Sequence, residues 1–204
     1  GINSNSYKAG RLNPEEYISM MQGRENISLL PIEINDTALM TVQQIKSQAK
    51  KLKRKDKCDI ILIDYLQLID SPYINGRTKN DEVGDITRKL KIMSKELDIP
   101  VILLSQLNRE VERRTDKIPM MADLRDSGSI EQDADVILFI HREHYYNDEA
   151  DPHRGTIRIA KNREGMTGDI DFWVNDTISD FRDDEPRGNT FIYTNKKEDY
   201  ELPF

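Results

Sequence analysis

A chain of 204 residues, 37% hydrophobic and 33% charged, has the material for one α/β domain with a proper core, or for two very small ones. Its net charge of −7 excludes a protein that coats nucleic acid indiscriminately, but not one that turns a few basic loops toward a strand. No run of 18 apolar residues and no apolar leader is found, and Cys58 is the only cysteine, so the chain reads as cytoplasmic, without an intrachain disulfide.

Asn13-Pro14-Glu15-Glu16 spells a helix start, with Asn13 as N-cap, Pro14 in the first turn and acids facing the positive end of the dipole; Gly23 is expected to stop it. Ile32-Glu33-Ile34 is a short strand candidate. Thr41 can cap a second helix with Val42, Ile45, Ala49 and Leu52 on one face. The cations that follow (Lys50, Lys51, Lys53, Arg54, Lys55, Lys57) suit a helix C-terminus better than a DNA patch.

The run from Ile60 to Ile63 suits a strand covered on both faces. A loop from Ser71 to Lys79 leads to a long helix whose stripe is Val83, Ile86, Leu90, Met93 and Leu97. Pro100 resets the chain into a second buried strand, residues 101–104, and residues 136–140 make a third. Residues 156–160 and 170–174 read as an antiparallel pair joined by the turn Glu164 to Gly168. Alternation of the early strands with helices points to a mostly parallel sheet flanked by helices. Residues 1–178 are taken as one domain, and the acidic stretch 179–204 as a flexible tail.

Four places could carry chemistry. Asp64 closes the first apolar strand, where ligands of open α/β sheets bind, and either reaches a nucleotide-bound magnesium ion or is an ordinary strand-end acid. Gln106 ends the next strand and either senses a terminal phosphate or satisfies a loop. Arg125, Asp126 and Gly128 lie in a loop before the third strand and could meet a phosphate backbone, or simply form a polar connection. Lys161 and Arg163 project beside the hairpin turn, as an arginine finger would, or as solvated charges. His141, His144 and His153 lack the ligand spacing of a zinc site.

Longer strings decide between these alternatives. The segment Ile63-Asp64-Tyr65-Leu66-Gln67-Leu68 resembles the "DYLQL" Walker B segment of DnaB-type replicative helicases. Residues 102–113 (ILLSQLNREVER) resemble their "SQLNR-VE-R" motif, residues 123–140 (DLRDSGSIEQDADVILFI) their "DLR-SG-IEQDAD" block, and residues 160–165 (AKNREG) their "K-RNG" segment. Order and spacing agree from about Tyr17 to Val174.

The resemblance implies a RecA-like P-loop fold and a hexameric motor that uses ATP and magnesium to move along single-stranded DNA. It implies that Asp64 is the magnesium-side acid and Gln106 the phosphate sensor. Arg125, Asp126 and Gly128 match the loop that holds DNA, and Lys161 and Arg163 the pair that reaches a neighbour's ATP. Primase and a helicase loader are the implied partners, through parts mostly outside this chain. Two positions depart from the family pattern: Asp126 replaces the commoner Glu, and Glu164 stands where Asn usually precedes the Gly, which bears on the shape of the finger turn.

No G-x-x-x-x-G-K-[ST] occurs in the 204 residues, so no loop of the kind that cradles β- and γ-phosphates is encoded. The expectation is an incomplete RecA-like domain, lacking the first strand and phosphate loop, with exposed apolar strand neighbours and no ATPase activity by itself. The alternatives are another RecA-fold ATPase, such as a recombinase or RadA-like protein, and a non-catalytic fragment that binds DNA and other subunits.

Overall fold

The computed structural model describes residues 2–71, 75–76 and 78–183, and only the backbone of residues 125–127. Part of the expected loop before the long helix (72–74 and 77) lies outside the described residues, as does the tail from 184 onward.

Among the described residues five α-helices form, α1 Ser4–Lys8, α2 Pro14–Ser28, α3 Val42–Lys53, α4 Lys79–Leu97 and α5 Gly128–Asp133, of which α2, α3 and α4 are those the sequence signals place. The caps are reciprocal. The Asn13 side chain accepts from the Glu16 N–H at 2.8 Å, while the Glu16 carboxylate accepts from the Asn13 N–H at 2.9 Å. Thr41 and Gln44 make the same box at the start of α3, and Thr78 and Asp81 at the start of α4. Gly23 does not stop α2, which runs on to Ser28. A mid-helix glycine costs about 1 kcal/mol relative to alanine, too little to break a helix by itself. Ile32-Glu33-Ile34 forms no strand: the three residues are exposed and have no ladder partner.

The strands are β1 Ile61–Ile63, β2 Val101–Leu103, β3 Val136–His141, β4 Arg154–Asn162, β5 Gly168–Asn175 and β6 Asp180–Arg182. β1 and β2 pair in parallel, Ile61 opposite Val101 and Ile63 opposite Leu103, with α4 as their crossover. β3, β4, β5 and β6 make an antiparallel sheet in chain order, and no ladder joins the two sheets among the described residues. The fold is α/β as expected, with its parallel part confined to β1–β2. β6 occupies residues expected to begin the tail.

Both sheets share one core. Ile86, Leu90, Met93 and Leu97 of α4, Val42 and Ala49 of α3, Ile130 of α5, and Ile137 and Phe139 of β3 belong to a single buried cluster. These helices cover one sheet face only, so the expectation of strands covered on both faces fails. Leu62 is 65% exposed, Ile102 50% and Ile140 66%. Apolar exposure of this kind is what the reading of an incomplete sheet anticipates.

The hairpin sheet has its own close contact. Gly155 faces Phe172 across β4–β5, and a Cβ at residue 155 would stand 2.2 Å from the Phe172 ring. Only glycine lets the far end of that ring come so close to the strand.

Candidate functional site

Asp64 follows β1 and Gln106 follows β2 by three residues, so the parallel pairing sets both at neighbouring carboxyl ends. The ladder continues past the strands: Leu104 N donates to Ile63 O at 3.0 Å, and Leu66 N to Leu104 O at 2.9 Å. The Asp64–Tyr65 peptide between these bonds is cis. Asp64 and Gln106 are exposed. Among the described residues the Asp64 carboxylate has no hydrogen bond or ion pair, and the Gln106 side-chain amide has none either. An unengaged carboxylate suits a hard cation, and an unengaged amide suits a phosphate oxygen.

Gln67 is a residue to which sequence reasoning assigned no role. Its side chain accepts from the Gln106 N–H at 3.4 Å and donates to Ser105 Oγ at 3.4 Å, spanning the two strand ends.

The segment expected to hold DNA is more ordered than a loop. Residues 121–127 form a 3-10 helix, and Gly128 begins α5 with φ −50° and ψ −23°. Gly128 is therefore not needed for a left-handed turn; a Cβ there would meet open space, so the residue leaves an approach clear. The side chains of Arg125 and Asp126 lie outside what the structure describes. Nearby in the same segment Asp123 is buried, accepting from Met120 N at 2.8 Å and from Arg114 Nη2 at 2.9 Å. That ion pair ties the segment containing Arg125 to the chain following Gln106.

Lys161 and Arg163 do not join Asp64 and Gln106. They stand where β4 ends, folded onto the C-terminal end of α5. Lys161 Nζ donates to the carbonyls of Glu131 and Ala134, and Arg163 Nη2 donates to Gln132 O at 2.9 Å. Arg163 Nη1 donates to Asp135 Oδ1 at 3.2 Å. The turn beyond is held by Asn162, whose side chain accepts from Glu164 N at 3.3 Å and donates to Met166 O at 3.3 Å. Glu164 contributes its backbone N–H to that turn, a donor that any residue but proline supplies.

α5 lies alongside α4 and gives the scale of the separation. Gly84 packs on Ser129, Thr87 Oγ1 donates to Asp133 Oδ2 at 2.6 Å, and Lys91 pairs with Asp135. From Gly84 to Lys91 the helix rises about 10 Å. Because α4 returns the chain from the end of β1 to the start of β2, Asp135 and Arg163 stand toward the amino ends of the parallel strands. Asp64 and Gln106 stand at the carboxyl ends. One chain therefore carries two groups of candidate residues, toward opposite ends of the parallel pair.

The model of the DnaB-like helicase C-terminal domain family matches residues 1–183. This chain belongs to that family. Over 170 residues it is 42% identical to the replicative DNA helicase DnaB of Geobacillus stearothermophilus, covering 83% of this chain and 37% of that protein. Over 204 residues it is 39% identical to the DnaB of Rickettsia typhi, covering 91% of this chain and 41% of the relative. The chain thus spans about two fifths of the length of these relatives. Among solved structures, an ATPase domain superposes with a TM-score of 0.84 at 39% identity, covering 90% of this chain and 66% of that one. A DnaB-like replicative helicase, described with its interactions with primase, superposes with a TM-score of 0.83 at 39% identity, covering 89% and 44%. A member of the DnaB-like family with a RecA-fold ATPase architecture is what the sequence motifs anticipated.

Proposed function

We propose that this chain is the larger part of the motor domain of an ATP-dependent, hexameric DNA helicase of the replication fork, which moves along single-stranded DNA. The observation that supports it best is the β1–β2 pairing, which sets Asp64 and Gln106, their side chains unengaged among the described residues, at adjacent carboxyl ends. Magnesium, when bound with the nucleotide, neutralises phosphate charge, and Asp64 is the oxygen donor suited to hold it. Gln106 reads the terminal phosphate, and Gln67 links it to the Asp64 segment. Arg125, Asp126 and Gly128 engage the DNA backbone, while Lys161 and Arg163 serve the ATP of a neighbouring subunit. Primase and a loader engage the complete protein, mostly outside this chain.

The 204 residues encode no phosphate-cradling loop, so the chain by itself is expected to hydrolyse no ATP above a blank. The full-length protein is expected to hydrolyse it with magnesium and to lose that activity on Asp64→Ala. Turnover by the chain alone that disappears on Asp64→Ala would contradict this division. A full-length protein that binds DNA yet never hydrolyses ATP would favour the non-catalytic reading.

A further inference from the structure

Arg163 makes its contacts with only part of its guanidinium. Nη1 meets Asp135 and Nη2 meets Gln132 O, the side chain remains 50% exposed, and its other side-chain N–H donors have no partner among the described residues. Its backbone N–H also donates to Asp135 O at 2.9 Å, so Asp135 holds this residue at both main chain and side chain.

Asp135 is itself held. Its other carboxylate oxygen takes the Lys91 ammonium of α4. That hydrogen bond, with the charges of Lys91, Arg163 and Lys95, outweighs partial desolvation and keeps the carboxyl below the usual range. It is an anion at neutral pH. The guanidinium is thus braced against α5 and, through Asp135 and Lys91, against α4.

An arginine that stabilises transition-state charge on another subunit gains from being held in advance, because its own rotamer entropy is then lost before the reaction. Asp135 and the Gln132 carbonyl each take one donor of the guanidinium and leave the side chain half exposed. We propose that Asp135 is a positioning residue for ATP hydrolysis, bracing Arg163 so that the unused donors of its guanidinium are presented to the nucleotide phosphates of a neighbouring subunit. This rests on the helicase reading above and on Arg163 acting in trans. Asp135 touches no substrate; it acts through Arg163.

The test is steady-state ATPase of the full-length protein on single-stranded DNA, with Arg163→Ala, Asp135→Ala, Asp135→Asn and the double alanine variant. Arg163→Ala is expected to lower kcat by about 10³ to 10⁵. Asp135→Ala is expected to lower it by about 10², with little change in KM for ATP, as for a catalytic group displaced by about an ångström. Asp135→Asn keeps an acceptor oxygen for Arg163 and should recover part of the loss. The double variant should be no slower than Arg163→Ala.

Parental kcat in Asp135→Ala, beside a crippled Arg163→Ala, overturns the positioning role and leaves the finger standing. Multiplying losses in the double variant also overturn it, since Asp135 would then act elsewhere. Parental kcat in Arg163→Ala instead overturns the reading beneath. Should Asp135→Ala fail to assemble, Asp135→Asn decides alone: a lowered kcat at unchanged KM supports the proposal, and parental kcat overturns it.

Discussion

The side-chain carbonyl of Gln67 accepts a hydrogen bond from the backbone N–H of Gln106 at 3.4 Å, joining the segment after Asp64 to the end of the neighbouring strand. With the bond from Gln67 to Ser105, also 3.4 Å, a single amide spans the two strand ends that carry the proposed metal-side acid and phosphate sensor. Both bonds are long and exposed, so together they contribute less to stability than the roughly 1 kcal/mol of one typical hydrogen bond. Gln67→Ala in the full-length protein is expected to lower kcat by up to about tenfold while leaving thermal stability almost unchanged. ATPase kinetics beside a melting curve check this; a large stability loss with parental kcat would make Gln67 a scaffold residue only.

What could be read from the sequence was what is local. The Asn13 and Thr41 caps depend on neighbours three residues away, and the stripe of α4 on spacing within one helix, so both were legible. Gly23 misled because a weak breaker is outweighed by a sound cap. The exposure of Leu62 and Ile102 was illegible in the strands' own residues, because a continuous apolar run looks the same whatever covers it.

The site divides in the same way. Asp64, Gln106, Lys161 and Arg163 could be picked out by motif, whereas Gln67, Asp123 and Asp135 could not be given roles. Their partners lie in other segments: Ser105 and Gln106 for Gln67, Arg114 for Asp123, Lys91 and Arg163 for Asp135. Sequence spacing carries no record of such pairings.

Gly155 tests the hairpin sheet that carries Lys161 and leads into Arg163. An alanine Cβ would stand 2.2 Å from the Phe172 ring, so strand or ring must move. Overpacking of this kind typically costs about 1–3 kcal/mol. Urea unfolding of Gly155→Ala should show a lower midpoint, partly restored by Phe172→Leu. An unchanged midpoint would mean that the ring does not lie over Gly155 in solution.

Arg125 is expected to grip DNA by its backbone and to read no base. Its segment, residues 121–128, contains no aromatic residue on which a base could stack. Phosphate contacts fix register without reading sequence. Arg125→Ala in the full-length protein should weaken binding to poly-dT and to a mixed sequence by similar factors. The log–log salt slope should fall by about 0.7 for each phosphate no longer engaged. Basal ATPase should persist while its stimulation by DNA declines. An unchanged slope, or a loss confined to one sequence, would assign Arg125 another task.

If each chain carries two half-sites, Asp64 and Gln106 serve its own nucleotide and Arg163 a neighbour's. Full-length Asp64→Ala subunits mixed with full-length Arg163→Ala subunits then separate the two roles. In a mixed ring some interfaces join an intact Asp64 to an intact Arg163 from the next subunit. ATPase activity, nearly absent in either variant alone, should reappear on mixing and peak near equal proportions. Activity that never exceeds that of the separate variants, in rings shown to contain both kinds of subunit, would rule out a finger acting in trans.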